Sequence, residues 1–243
     1  MKVAVMGGGL VGRIAAWAVM QAGHCPVIYD RMQEAKAPKG FTYLHSEIQL
    51  PLKKQMIVVI NQGNKEEYAN KIYLDPKIKT SFGKYDVEFG YDPAEALNIL
   101  NGLQHKMVID RGFENWDEVF EVIQNGDYQK AIFTLPLNKF FKGRYTYIRG
   151  SIGVWKLNEG EVLENFCVYN SNPDIPWVRS GNMFGYAFRE FPNALTDHIP
   201  IIKVMEGDKP PEMHNVLFTG RFGKWDKSAL SDDTYYEVRE WLK

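Results

Sequence analysis

Short apolar runs that end at glycine or at polar residues open the chain, and they predict a strand, a helix and a second strand. Residues 2–6 form the first predicted strand, residues 13–22 the helix, and residues 26–30 a strand that ends on Asp30. The polar residues 31–40 predict a loop, because proline and glycine interrupt them. This order is typical of a parallel βαβ unit.

The rest of the chain alternates between helical and strand periodicity. The further predicted elements are strands at residues 56–60, 106–110, 130–135 and 216–219 and helices at residues 92–103, 115–124 and 231–242, the last with Ser231 as its N-cap. Residues 68–91 also predict strands, with turns at Asp75-Pro76 and around Gly83. Residues 145–188 predict an antiparallel sheet, because glycine, asparagine and proline break up a run of β-branched and aromatic residues.

Composition places the chain among ordinary globular proteins. Of its 243 residues 45% are hydrophobic and 24% charged, and the formal net charge is −1. That charge offers no attraction for nucleic acid or an anionic membrane, and no apolar run reaches the roughly 18 residues of a membrane helix. Two cysteines give no disulfide framework, and five histidines lack the spacing of metal ligands. We therefore expect a cytoplasmic protein without a metal site.

The first strand and the first helix are joined by Gly-Gly-Gly-Leu-Val-Gly at positions 7–12. Gly7 would permit the tight turn, Gly9 would let the backbone approach a pyrophosphate, and Gly12 would let the helix pack closely. Leu10 and Val11 would offer the free N–H groups of a helix N-terminus to phosphate.

An acidic residue at the end of the second strand supports the same site. Asp30 follows Gly7 by 23 positions and would accept hydrogen bonds from a ribose diol. Its carboxylate would repel a 2′-phosphate, which disfavours NADP. These residues predict a dinucleotide site and leave both NAD and FAD open. The structural alternative is a glycine turn without a ligand.

This opening resembles that of FAD-dependent amine oxidases and UDP-galactopyranose mutases. The spacing from Gly7 through Ala16 and Ala22-Gly23 to Asp30 matches those enzymes position by position. Three later segments match more loosely and follow the same order. They are residues 130–136 ending in Thr-Leu-Pro, residues 176–179 (Pro-Trp-Val-Arg) and residues 216–221 ending in Thr-Gly-Arg.

The resemblance implies an α/β fold in which a Rossmann-like FAD-binding domain of the glutathione-reductase type carries an inserted, smaller antiparallel β-sheet for the substrate. The FAD-binding domain would comprise residues 1–60, 92–136 and 212–243, and the substrate region residues 61–91 and 137–211. FAD is the expected cofactor. Its expected contacts are Gly7, Gly9, Leu10, Val11, Gly12, Asp30, Arg31, His45, Gly220, Arg221, Ser228, Ala229 and Leu230.

Two departures from the resemblance affect the expected site. The second glycine pair of those enzymes is represented only by Lys39-Gly40, and this chain is much shorter than typical members. The helical substrate subdomain is therefore largely missing, which implies an open flavin face or a site completed in a homodimer. The expected partner is a small-molecule or nucleotide-linked substrate.

Arg179 and His45 are the candidate catalytic residues. Arg179 would anchor an oxyanion of the substrate, with a structural ion pair as the alternative role. His45 would shuttle protons, with a simple hydrogen-bonded histidine as the alternative. Trp177, Tyr186 and Trp225 would wall the substrate site or serve as packing.

Three classes of function remain open at this stage. The first is oxidation or cleavage of a C–N bond by hydride transfer to flavin N5, with the thymine hypermodification of phage DNA as one setting. The second is a non-redox, UDP-sugar mutase-like flavin enzyme. The third is an NAD-dependent reductase or a dinucleotide-binding protein without catalysis.

Overall fold

The computed structural model describes residues 1–38, 42–75, 82, 86–158, 160–192 and 198–243, without the side chains of residues 86, 149, 198–203 and 206. In chain order the elements are β1 (Lys2–Met6), α1 (Leu10–Gln21), β2 (Cys25–Asp30), β3 (Lys54–Gln62), α2 (Lys65–Tyr73), β4 (Asp86–Tyr91), α3 (Pro93–Gln104), β5 (Val108–Asp110), α4 (Trp116–Asn125), β6 (Lys130–Phe133), α5 (Leu137–Phe140), β7 (Tyr145–Lys156), β8 (Phe166–Asn170), β9 (Arg179–Met183), β10 (Tyr186–Pro192), β11 (His198–Gly207), β12 (Val216–Phe218), α6 (Gly220–Lys224) and α7 (Asp233–Trp241).

A parallel sheet of five strands in the order β12-β6-β1-β2-β5 forms the first layer. Strand β1 lies at its centre and is apolar on both faces, as buried parallel strands are. Val3 and Val5 face the core shared with α1 and α7, while Ala4 and Met6 face the core shared with α4. Strand β1 from the start of the chain and strand β12 from near its end therefore lie in one sheet, on either side of β6.

The N-terminus of α3 follows the predicted capping pattern. The Asp92 carboxylate accepts the Ala94 N–H at 2.8 Å, and Pro93 occupies the first helical position, where no N–H is needed. Helix α3 packs beside α1 against the same face of the sheet. Asn101 near its end exchanges two hydrogen bonds with the backbone of Ala35, which fastens the segment after β2 to this layer.

The second layer is a seven-stranded sheet in the order β11-β7-β10-β9-β8-β3-β4. All pairs are antiparallel except β3 with β8. It has more strands than the parallel sheet, although the sequence predicted a smaller layer. The whole of β3 pairs within this layer, including residues 54–60, which the sequence analysis grouped with the FAD-binding domain.

One part of the predicted strand region 68–91 is wrong. Residues 65–73 form helix α2, because the Asn64 side chain accepts the Glu67 N–H at the N-terminus and Tyr68 and Ile72 share one buried face. Among the residues of that region that the structure describes, β4 alone is a strand. The turns expected at Pro76 and Gly83, like Lys39-Gly40, lie outside the described residues.

The predicted N-cap of the last helix is also wrong. Helix α7 begins at Asp233 with Asp232 at the N-cap position, and no side chain caps it. The Asp233 carboxylate instead turns back and accepts the Leu230 N–H at 3.0 Å. Within the described residues, no helix has both the length and the apolar character needed to cross a membrane.

Candidate functional site

The glycine turn after β1 is formed almost entirely by backbone contacts. Gly7 has φ of 101°, a conformation that favours glycine, and its N–H donates to the Tyr29 carbonyl at 3.0 Å. A Cβ on Gly12 would lie 1.7 Å from the Gly7 carbonyl oxygen. The first turn of α1 therefore lies directly against the glycine turn, a contact that only glycine at position 12 permits.

Gly9, in contrast, faces open space. A Cβ on Gly9 would meet no atom of the described residues within 4 Å. Gly9 is also the N-cap of α1, its carbonyl accepts the Arg13 N–H, and the first turn carries no acidic side chain. The N–H groups of Leu10 and Val11 have no intrahelical acceptor at this position. The space beside Gly9 is thus suited to a pyrophosphate.

Asp30 closes the other side of the turn. Its Oδ2 accepts the Gly8 N–H at 2.6 Å and its Oδ1 accepts the Met32 N–H at 2.8 Å. A Cβ on Gly8 would lie 2.9 Å from the Asp30 Cβ, so Gly8 is needed for this approach. The carboxylate holds the turn in place, and its remaining lone pairs can still accept a hydroxyl group such as that of a ribose.

Two polar side chains that the sequence analysis did not assign also hold the turn. The guanidinium of Arg13 is fully buried and donates to the carbonyls of Gly8 (3.1 Å) and Gln33 (2.6 Å). Desolvation lowers its pKa, and nearby Asp30 opposes that shift. Thr134 donates its hydroxyl to the Met6 carbonyl at 2.9 Å. The sequence contained a signal for the role of Arg13, because Arg13 is the single charged residue of α1.

The C-terminal Gly-Arg segment reaches the glycine turn. A Cβ on Gly220 would lie 2.5 Å from Val11 Cγ1, so the start of α6 contacts the first turn of α1. Arg221 is exposed, yet surrounding protein desolvates it and lowers its pKa, while Tyr73 and Asp226 oppose the shift. Such a combination is expected of a cation on the wall of an open cleft.

The remaining predicted cofactor contacts lie further out. Ser228 donates from both its hydroxyl and its N–H to Asp226, at 2.7 and 2.8 Å, which lowers the Asp226 pKa. Ala229 and Leu230 follow in the segment between α6 and α7. Arg31 is exposed and pairs with Glu114. Contact of these residues with FAD stays a prediction.

Arg179 lies on what we call the inner face of the seven-stranded sheet, the face that carries Ile57, Cys167, Arg179, Met183 and Phe188. Its Nε donates to the carboxylate of Glu190, which is 1% exposed, and its guanidinium lies over the Tyr169 ring at 5.6 Å. Burial disfavours the charged guanidinium and is the largest single effect, but Glu190 together with Tyr169, Tyr68 and Cys167 outweighs it and holds the Arg179 pKa above its ordinary value. Arg179 therefore has a structural ion pair, and its role as a substrate anchor stays a prediction.

His45 also lies near the inner face. Its Nδ1 is 3.3 Å from Glu88 Oε2, and the Tyr43 hydroxyl donates to the same oxygen at 2.6 Å. The rings of Tyr43 and His45 are 4.4 Å apart, and desolvation raises the Tyr43 pKa. The imidazole is accessible, so this carboxylate-oriented histidine can exchange a proton with a ligand.

The three predicted aromatic wall residues separate in the structure. Trp225 is buried and donates its indole N–H to the Thr146 carbonyl, so it acts in packing. Trp177 lies beneath the Arg189 guanidinium. Tyr186 lines a cavity. Across the described part of the chain, no group of histidine, cysteine and acidic residues could hold a metal ion.

No family model and no curated protein matches the sequence. Solved structures match it along its whole length. Reduced UDP-galactopyranose mutase aligns over 99% of this chain and 94% of its own, with 11% identity and a TM-score of 0.53. A flavoprotein/dehydrogenase from Cytophaga hutchinsonii aligns over 100% of this chain and 79% of its own, with 11% identity and a TM-score of 0.53.

Aklavinone-11 hydroxylase, solved in a ternary complex with FAD and aklavinone, aligns over 98% of this chain with 8% identity and a TM-score of 0.51. This chain spans only 60% of the hydroxylase. At these identities the matches establish the fold, which is that of FAD-binding flavoproteins. The predicted fold class is confirmed.

Proposed function

We propose that the protein is an FAD-dependent enzyme that oxidises or cleaves a C–N bond of an amine. The observation that carries the cofactor assignment is the open position beside Gly9 at the N-terminus of α1, within a fold shared with flavoproteins. When bound, FAD supplies a two-electron acceptor for the substrate. The substrate is proposed to be a small or nucleotide-linked amine.

The residues present fit an FAD molecule. The N–H groups of Leu10 and Val11 and the partial charge of α1 would hold the pyrophosphate, and the Asp30 carboxylate would hold the adenosine ribose. Arg221, at the start of the helix that contacts Val11, would neutralise phosphate charge. The buried Arg13 supports the turn from behind.

His45 is the residue proposed to make the amine reactive. An amine is oxidised in its neutral form, so the ammonium of a substrate must lose a proton first. The imidazole can accept that proton, and the Glu88 carboxylate at 3.3 Å would stabilise the resulting imidazolium. On the inner face beside His45, Met183 and Phe188 would provide an apolar wall for the substrate.

Anaerobic mixing with primary and secondary amines tests this function. We expect purified protein to release FAD on denaturation and its visible flavin absorbance to bleach with amine. His45→Gln should slow bleaching about 100-fold while leaving the FAD content unchanged. His24→Gln, at a half-buried histidine beside the N-terminal amino group, is the matched control. A colourless protein that refuses FAD and binds NAD would contradict the proposal.

A second candidate is a non-redox flavin enzyme acting on a nucleotide sugar. It is favoured by the position of Tyr73, whose phenol is within electrostatic reach of both Arg179 and Arg221. Burial raises the Tyr73 pKa and the two arginines oppose that shift. A tyrosine in the neighbourhood of two arginines suits a diphosphate. Turnover of a UDP-sugar only after dithionite reduction would favour this candidate, and amine-dependent bleaching would exclude it.

A further inference from the structure

A cavity of about 420 Å³ lies between the two layers of the molecule. The N-terminus of α3 and the segment after β2 supply one side, with Pro38 and Pro93, and strands β7 and β10 supply the other. Ligand sites occur preferentially at such junctions, and this volume lies within their usual range. No residue assigned so far to the cofactor or to proton transfer lines it.

The sheet side of the cavity is an aromatic surface. Met183, Phe184 and Phe188 line it, and Tyr186 lies at the exposed end. Met183 and Phe188 belong to the same apolar cluster as Tyr43, so the cavity adjoins the Tyr43–His45–Glu88 group. Proline rings opposite aromatic rings leave a slot suited to a flat apolar group.

Phe184 is held in an unusual conformation. Its φ is 54°, and with Gly185 at 80° it forms the turn between β9 and β10. Asparagine or glycine normally occupies such a position, because a large side chain there carries a conformational cost. The Gln55 side chain accepts the Phe184 N–H at 3.0 Å and supports this geometry. Costly backbone conformations of this kind cluster at ligand sites.

A lysine side chain also lines the cavity. Lys156 on β7 is the register partner of Phe188 on β10. It is exposed and lines the same side of the cavity. Among the described residues, no carboxylate forms an ion pair with it. Asp92, the acidic lining residue, already accepts the Ala94 N–H as the cap of α3. The ammonium is therefore available to an anionic group of a ligand.

We propose that this cavity binds a flat aromatic group that carries an anionic substituent, a carboxylate or a phosphate. Phe184 and Phe188 would contact the ring, and Lys156 would pair with the anion. This inference rests on the proposed function in one respect, since it names the substrate class as aromatic amines with an acidic group. The binding site itself can be tested without turnover.

Calorimetric titration of the full chain with 2-naphthoate, and with the quaternary (2-naphthylmethyl)trimethylammonium ion as an oppositely charged probe that cannot be oxidised as an amine, tests the proposal. We expect the anion to bind at least 10-fold more tightly than the cation. Lys156→Met should remove that preference, and Lys142→Met, at an exposed lysine outside the cavity, should keep it. Phe184→Gly should weaken 2-naphthoate about 10-fold while the protein stays folded, because glycine tolerates the turn.

Three outcomes would overturn the inference. They are equal binding of the two probes, an unchanged preference in Lys156→Met, and loss of FAD rather than of 2-naphthoate in Phe184→Gly, which would assign the cavity to the cofactor. FAD content is measured on every variant. A yellow protein that ignores 2-naphthoate refutes only the cavity assignment, whereas a colourless protein that binds 2-naphthoate refutes only the proposed function.

Discussion

The glycine turn and the inner face of the seven-stranded sheet are constructed in opposite ways. Most of the turn is formed within the first 30 residues, and its backbone approaches neighbouring atoms closely because glycines stand at positions 7, 8 and 12. The inner face is formed by side chains from several strands, some of them far apart in the chain, such as Met183 with Ile57. A site made of backbone leaves a spacing in the sequence, and a site made of side chains leaves none.

The largest expected effect comes from two glycines of the turn that differ in what surrounds them. Gly9→Val should leave the thermal unfolding of the cofactor-free protein unchanged, because its Cβ enters open space, and should weaken FAD binding at least about 100-fold. Gly12→Ala should lower both the unfolding temperature of the cofactor-free protein and the affinity for FAD, because its Cβ meets the Gly7 carbonyl. Equal effects of the two substitutions on unfolding would contradict this distinction.

The buried ion pair of the inner face provides the next test. Glu190→Gln leaves the Arg179 charge without its partner and should lower the free energy of unfolding by about 3 kcal/mol in urea titrations. Glu240→Gln removes a pair with Lys243 that is 73% exposed on both sides, and should change it by less than about 0.5 kcal/mol. If the two variants lost similar amounts of the free energy of unfolding, the buried charge of Arg179 would not depend on Glu190 for its stabilisation.

The contrast between the locally formed glycine turn and the inner face also separates what could be predicted from the sequence from what could not. The strand, glycine turn, helix and Asp30 lie where local spacing placed them, since a short βαβ unit depends on neighbours in the chain. The partners of Arg179 and His45 could not be predicted, because Glu190 and Glu88 reach them only through strand pairing. Nor could the pairing of β3 with β4 and β8.

Helix α2 is a different kind of failure, because its signal was local. Asn64 followed by Glu67 is an N-cap pattern, and Tyr68 and Ile72 have helical spacing. The aromatic residues outweighed that pattern in the prediction. The consequence for the site is direct, since α2 carries Tyr68 and Tyr73 to the neighbourhood of Arg179.

A smaller effect is expected at Asp30, where the backbone site depends on a side chain. Asp30→Asn places an amide N–H₂ against one of two backbone donors, Gly8 or Met32, and should lower the free energy of unfolding of the cofactor-free protein by about 1–2 kcal/mol. Asp110→Asn is the control, since Asp110 is the exposed register partner of Asp30 on β5. An unchanged stability in Asp30→Asn would mean that Asp30 serves the ligand alone.

The smallest expected effect compares the two cysteines, one in each layer. Burial raises the pKa of the Cys167 thiol on the inner face to about 12, so almost no thiolate forms at pH 8, whereas Cys25 is exposed at the start of β2. Iodoacetamide at pH 8 should therefore modify Cys25 at least about 100-fold faster, as followed by peptide mass spectrometry.

In the unfolded chain Cys167 ionises near its ordinary pKa of about 8.5, so the folded state retains a proton that the unfolded state loses. Stability contributed by the protonated thiol is present below that pH and declines above it, and Cys167→Ala should reduce this decline. Rapid labelling of Cys167 in the folded protein would mean that the inner face opens readily to solvent and would contradict this prediction.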